Sequence, residues 1–166
     1  MHAVKPRQGE GSVHYPEDVA VLSGGDVIVA EPFEERLQRF GPSGSPVRTP
    51  ARPAPRATQS HFGPVAHCDG RFLVTWEPEL RAIHLFDLHR TTPVRISTFG
   101  QPGDAPGEIG HISALLVDAD RTRIAAVDAG NRRLHEWAFD PPPPDRPRFD
   151  PGMARLLGSR PLEVAG

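Results

Sequence analysis

The chain repeats one pattern three times. An apolar run closed by an acid, Val27-Ile28-Val29-Ala30-Glu31, leads at an offset of five to Arg36-Leu37-Gln38-Arg39-Phe40. Ile124-Ala125-Ala126-Val127-Asp128 leads at the same offset to Arg133-Leu134-His135-Glu136-Trp137. Between them Leu73-Val74-Thr75-Trp76-Glu77 runs on to Ile83-His84-Leu85-Phe86. The acid stands at 31, 77 and 128 and the closing aromatic at 40, 86 and 137, so both recur at steps of 46 and 51 residues. Short apolar runs separated by glycine, proline and aspartate turns read as strands. A unit of this size cannot bury its apolar face alone and must stack on its neighbours.

A period of about 40–50 residues built of short strands is the mark of a β-propeller blade, a four-stranded antiparallel sheet. With 20 prolines and 16 glycines, and no capped segment of helical period, the fold class is all-β. The blade copies fall at about 9–50, 59–100 and 101–150 within a single partial β-propeller domain, 1–166. Innermost strands are expected at Val19–Leu22, Val65–His67 and Leu115–Val117, and an outer strand at 4–8. Residues 42–59 form a Pro-rich loop, with a ragged outer strand near Val47 as an alternative. Residues 141–166 form an irregular tail. It holds either a last outer strand around Ala154–Leu157 or the opening of another blade at Leu162–Val164. A full ring of four to eight blades needs about 200 residues or more. The expectation is therefore about three blades of a six-bladed ring. Either the chain is a fragment of a longer propeller, or two copies form a homodimer that closes the ring.

The net charge of −2 and pI near 6.4 speak against a nucleic-acid polyanion as partner. Arg48, Arg52 and Arg56 make only a small basic stripe. No stretch is apolar enough to span a bilayer, and no partnership with a membrane is expected. The sequence as written lacks a signal peptide, so the expected location is cytoplasmic. It would be periplasmic or extracellular if a leader precedes Met1. The single cysteine, Cys68, allows no intrachain disulfide and reads as a strand-end residue.

Asp128-Ala129-Gly130-Asn131-Arg132-Arg133-Leu134 is similar to the signature of NHL repeats. Gly103-Asp104-Ala105-Pro106-Gly107-Glu108-Ile109 resembles the glycine-rich lead-in of bacterial six-bladed β-propellers related to them. Gln8–Val13 with Tyr15–Val21 resembles the same lead-in. The resemblance implies a blade-building role for Glu31, Arg36, Glu77, Asp128, Asn131 and Arg133. In physical terms, the acid accepts from backbone N–H groups of the turn after it. Gly130 supplies positive φ, and the arginine reaches back to the acid of its own turn or of a neighbouring blade. The middle copy has Ala82 where the arginine belongs. This predicts a weaker polar tie there, or a substituted surface.

Propeller ligands bind near the ends of the innermost strands. Four residues before Val19, Val65 and Leu115 stand Tyr15, His61 and His111, which the repeat makes equivalent at the channel mouth. They are the candidate ligand-binding residues. Converging imidazoles can hold a metal, and the resemblance to NHL-like amidating lyases implies zinc there. No carboxylate occupies a matching position, so neither zinc nor calcium nor another cofactor is expected. Asp118-x-Asp120 imitates the start of a calcium loop but lacks its glycine and glutamate. Trp76 and Trp137 read as blade packing. No nucleophile elbow, phosphate loop or paired-cysteine motif occurs. The expected function is a non-catalytic binding module for a protein, peptide or small molecule. A metal-dependent propeller hydrolase or lyase is the alternative.

Overall fold

A computed structural model describes residues 11–16, 18–22, 24–31, 36–47, 65–68, 71–88, 94–118, 122–143, 145–146 and 148–163, with backbone alone at 36 and 65–68. These residues form strands and turns, with no helix among them. The first sheet is β1 (Asp18–Val21), β2 (Val27–Glu31), β3 (Arg36–Phe40) and β4 (Pro46–Val47). The second is β5 (Val65–Cys68), β6 (Phe72–Glu77), β7 (Ala82–Asp87) and β8 (Val94–Phe99). The third is β9 (Ile112–Val117), β10 (Arg123–Asp128), β11 (Arg133–Phe139) and β12 (Ala154–Pro161). Each is an antiparallel meander with its strands in chain order. β5 lies against both β1 and β9, so the first strands of the three sheets are spatial neighbours, as the innermost strands of propeller blades are.

The turns are local chemistry. Leu22 N donates to Asp26 O at 2.7 Å around Gly25, whose φ of 83° suits glycine. The turn from β6 to β7 places Arg81 at φ 48°, and the turn from β10 to β11 places Arg132 at φ 52°. Each stands four residues after the acid, so the two blades use the same turn geometry. The left-handed position is therefore Arg132, not Gly130. The glycine serves close approach instead: a Cβ at Gly130 would lie 2.7 Å from His111 N and 2.9 Å from Gly110 C.

Two apolar seams join the sheets. Between the first and second lie Ala20, Leu22, Ile28, Ala30, Leu73, Phe86 and Leu88. Between the second and third, Phe72, Val74, Trp76, Ile83 and Leu85 meet Ile124, Ala126, Trp137 and Phe139. β6 and β7 are buried at every position because both faces of the middle sheet are covered. β10 and β11 alternate, because one face of the third sheet is covered and the other is not.

The tail is more regular than its composition suggests. Pro141–Pro143 break away after β11, and β12 then returns to pair with β11 from Phe139↔Ala154 to Arg133↔Pro161. The outer strand expected around Ala154–Leu157 is therefore present and longer, while Val164, in the alternative opening of a further blade at Leu162–Val164, lies outside the described residues. A register shift at Glu136/Trp137 accommodates the extra residue. Near Val47 the outer strand of the first sheet is present at Pro46–Val47 among the described residues. β9 begins at Ile112, three residues ahead of the expected Leu115. The outer strand expected at 4–8 and most of the 42–59 segment lie outside the described residues. No described helix is long and apolar enough to cross a membrane.

Candidate functional site

Each blade buries its acid, and each acid meets a polar side chain seven residues on. Gln38 Nε2 donates to Glu31 Oε2 at 2.5 Å. His84 Nε2 lies 2.5 Å from Glu77 Oε2. His135 Nε2 lies 3.4 Å from Asp128 Oδ2. The spacing is a consequence of the hairpin. The acid ends one strand, the turn reverses the chain, and the third residue of the next strand returns to the same face. Burial of a carboxylate demands such partners.

The arginine expected at the acid is not what the structure puts there. Arg133 Nη1 reaches Ser159 Oγ at 3.5 Å, across to β12. Asp128 is satisfied by backbone donors and Asn131, with His135 as its long-range side-chain contact. The Arg36 side chain is outside the described residues. In the middle blade, where Ala82 stands in the arginine's place, His84 holds Glu77.

The acid also fastens the lead-in to its innermost strand. His14 N donates to Glu31 Oε1 at 2.6 Å, and His111 N donates to Asp128 Oδ1 at 2.9 Å. Both donors precede their acid by 17 residues. Gly110 N adds a bond to Asp128 Oδ2 at 2.9 Å. Asn131 closes the arrangement. Its backbone N and Nδ2 both donate to the Asp128 carboxylate at 3.0 Å, while Nδ2 also reaches Gly103 O at 2.8 Å. In the middle blade Glu77 Oε1 has no partner among the described residues. The position that would answer it, residue 60, is outside them.

Burial and these bonds together set protonation. Burial is the largest influence on His84 and lowers its pKa below the ordinary 6.5, outweighing the Glu77 bond and charge that raise it; Arg95 lowers it slightly further. A neutral ring fits its contacts: Nε2–H donates to Glu77, and Nδ1 accepts from Thr98 Oγ1 at 2.9 Å. For Asp128 burial acts upward, yet the bonds from His111, Gly110, Asn131 and His135 together hold the carboxyl below its ordinary 3.8. Both depressions make stability rise with pH, because the unfolded chain binds the proton first. For His84 the contribution is full above about pH 6.5 and is lost as pH falls through the folded value. For Asp128 the loss starts below about pH 4. We expect the urea midpoint to fall between about pH 7 and about pH 5, and His84→Gln to flatten that part of the curve. An unchanged pH slope in the variant would remove His84 from the account.

The candidate mouth residues fall as follows. Tyr15 precedes β1, is 67% exposed, and adopts φ 50°, an uncommon conformation for a bulky side chain. Its ring packs edge-on to His14, centroids 4.3 Å apart. His111 immediately precedes β9, is exposed, and stands at 90° to Trp76 with centroids 6.4 Å apart. His61 is outside the described residues. By hydrogen bonding to the acid, His111 corresponds to His14, so Tyr15 is one residue out of step with it. Among the described residues no group of three His, Cys, Asp or Glu could hold a metal ion. Asp118 Oδ1 accepts from Thr122 N and Arg123 N at 3.2 Å, which makes it a turn residue.

Sequence reasoning overlooked Gln38, His84 and His135, although the signal was present. A polar residue stands seven positions after every repeat acid, on the face the acid occupies.

Three neighbouring sheets of four antiparallel strands, each with a buried acid tied to the lead-in or to the next strand, define β-propeller blades. No protein-family model matches the chain, and no curated protein does. Solved structures do match. Hsv2 from Kluyveromyces lactis is similar with a TM-score of 0.63 at 13% identity, over 89% of this chain and 48% of that one. Kluyvelomyces marxianus Hsv2 gives 0.60 at 12%, over 90% and 47%. Hydrazine synthase from Kuenenia stuttgartiensis gives 0.54 at 12%, over 82% and 36%. At such identities the likeness is one of fold, and the chain spans less than half the length of each of these structures.

Proposed function

We propose that the chain is a non-catalytic β-propeller interaction module that takes a protein or peptide ligand at the mouth beside β1 and β9, and that its blades are of the NHL type. The carrying observation is how the buried polar groups are spent. Glu31, Asp128 and the ring nitrogens of His84 are engaged in hydrogen bonds that fix turns and lead-ins. Among the described residues, Tyr15 and His111 stand exposed just ahead of β1 and β9. An aromatic and an imidazole on a rigid rim suit recognition of a peptide surface. Asp128-x-Gly-Asn131 supports the NHL reading, since Gly130 permits the turn to touch the lead-in and Asn131 binds it.

The test is selection from a random peptide display library on the purified chain, with zinc dialysis in parallel. We expect an enriched peptide family whose affinity falls about tenfold or more in Tyr15→Ala and His111→Ala, with unchanged circular dichroism. Stoichiometric zinc lost in His61→Ala/His111→Ala, with ester or amide turnover, would replace this reading by the hydrolase or lyase. Peptide binding indifferent to both rim substitutions would overturn the assignment of the ligand to this mouth.

A further inference from the structure

The two end faces of the sheet stack are halves of one interface that the chain forms twice internally. Cross-strand register divides each sheet into two faces. On the face turned toward the preceding sheet, the third carries Leu115, Val117, Ala126, His135 and Trp137. The first sheet carries their counterparts: Val19, Val21, Val29, Gln38 and Phe40. Leu115 is 6% exposed because the second sheet covers it; Val19 and Val21 are 53% and 56% exposed. Trp137 and Phe86, the closing aromatics of the later blades, are buried, while Phe40 is half-buried.

The opposite face behaves in mirror fashion. Ala20 of the first sheet is 4% exposed beneath the second, and its counterpart Leu116 of the third is 62% exposed. Around Leu116 lie Ala125, Val127 and Leu134, neighbours in register. Bare apolar positions in one place could be incidental. Here the inner-strand positions are covered where a neighbouring sheet exists, at Leu115 and Ala20, and open where none is described, at Val19, Val21 and Leu116, while Val29 and Gln38 are buried within one copy.

We propose that a second copy of this chain covers both faces, the Val19–Val21–Phe40 face of each copy packing on the Leu116–Val127–Leu134 face of the other. A two-fold axis relates the copies, and six sheets close a ring. Only a partner built of blades offers the complementary face at each end, and a second copy offers both. This closure is independent of what the mouth binds, and its failure would leave the peptide-binding test standing.

Light scattering and sedimentation of the 166-residue chain at micromolar concentration decide it. The expected mass is that of a dimer. Val21→Asp and Leu116→Asp should each give a monomer at the same concentration with unchanged far-ultraviolet circular dichroism, since both side chains are exposed within one copy. An equimolar mixture of the two variants should recover part of the dimer, because one of its two contacts carries neither charge. A well-folded monomeric parent chain would overturn the proposal. So would an open series of higher oligomers, or a dimer that survives both substitutions.

Discussion

Asp128→Ala is expected to lower stability by about 3–5 kcal/mol. The carboxylate gathers Gly110 N, His111 N and both donors of Asn131, so its removal strands the lead-in of β9 and the turn after β10 together. Asp128→Asn keeps the volume and one acceptor oxygen, and should cost less, about 1–3 kcal/mol. Urea unfolding followed by circular dichroism provides the measurement. Hydrogen exchange should show Gly110, His111 and Asn131 amides losing protection first in the alanine variant. Equal midpoints for parent and Asp128→Ala would mean that the polar tie does not hold the blade.

Trp137→Ala should cost about 3–5 kcal/mol. Its side chain is buried in the seam between the second and third sheets, 5.3 Å from the Phe99 ring centroid and 5.5 Å from that of His135. No nearby side chain can collapse into so large a space, so the lost burial and the cavity add. The effect should fall on the third sheet as a unit, because that sheet meets the rest of the chain mainly through this seam. A fall in the unfolding midpoint with loss of amide protection across β9–β12 would bear this out; a loss below about 1 kcal/mol would show the seam to be loosely packed.

The fold was legible because it repeats. Alternation and turn residues marked most strands, and the recurrence of acid and aromatic at 31, 77 and 128 and at 40, 86 and 137 set the blades in register. β12 was harder to see, since Ala154-Arg155-Leu156-Leu157-Gly158-Ser159-Arg160-Pro161 is an exposed edge with a register shift and little alternation. The partner of the acid was misread for a different reason. Arg133 is close to Asp128 in sequence and opposite in charge, yet a charged pair is not required where backbone N–H groups already converge. His135 sits farther along the same face, and it takes the buried place that a long arginine leaves for the rim. Gly130 likewise carried a true signal with another cause: contact with the backbone of Gly110 and His111, while Arg132 takes the left-handed conformation.

Sequence by itself determined the all-β class, the blade period and the residues that recur, because strand alternation and turn chemistry are local and a repeat copies them. Only the tertiary structure decided which groups answer one another: His84 with Glu77, His135 with Asp128, and the lead-in backbone with both outer-blade acids. It also decided which repeat positions are covered and which lie bare at the two ends. Those outcomes depend on burial by a neighbouring sheet and on backbone donors; the polar residue seven positions after each acid hinted at the side-chain pairs, but backbone donors leave no mark on residue identity.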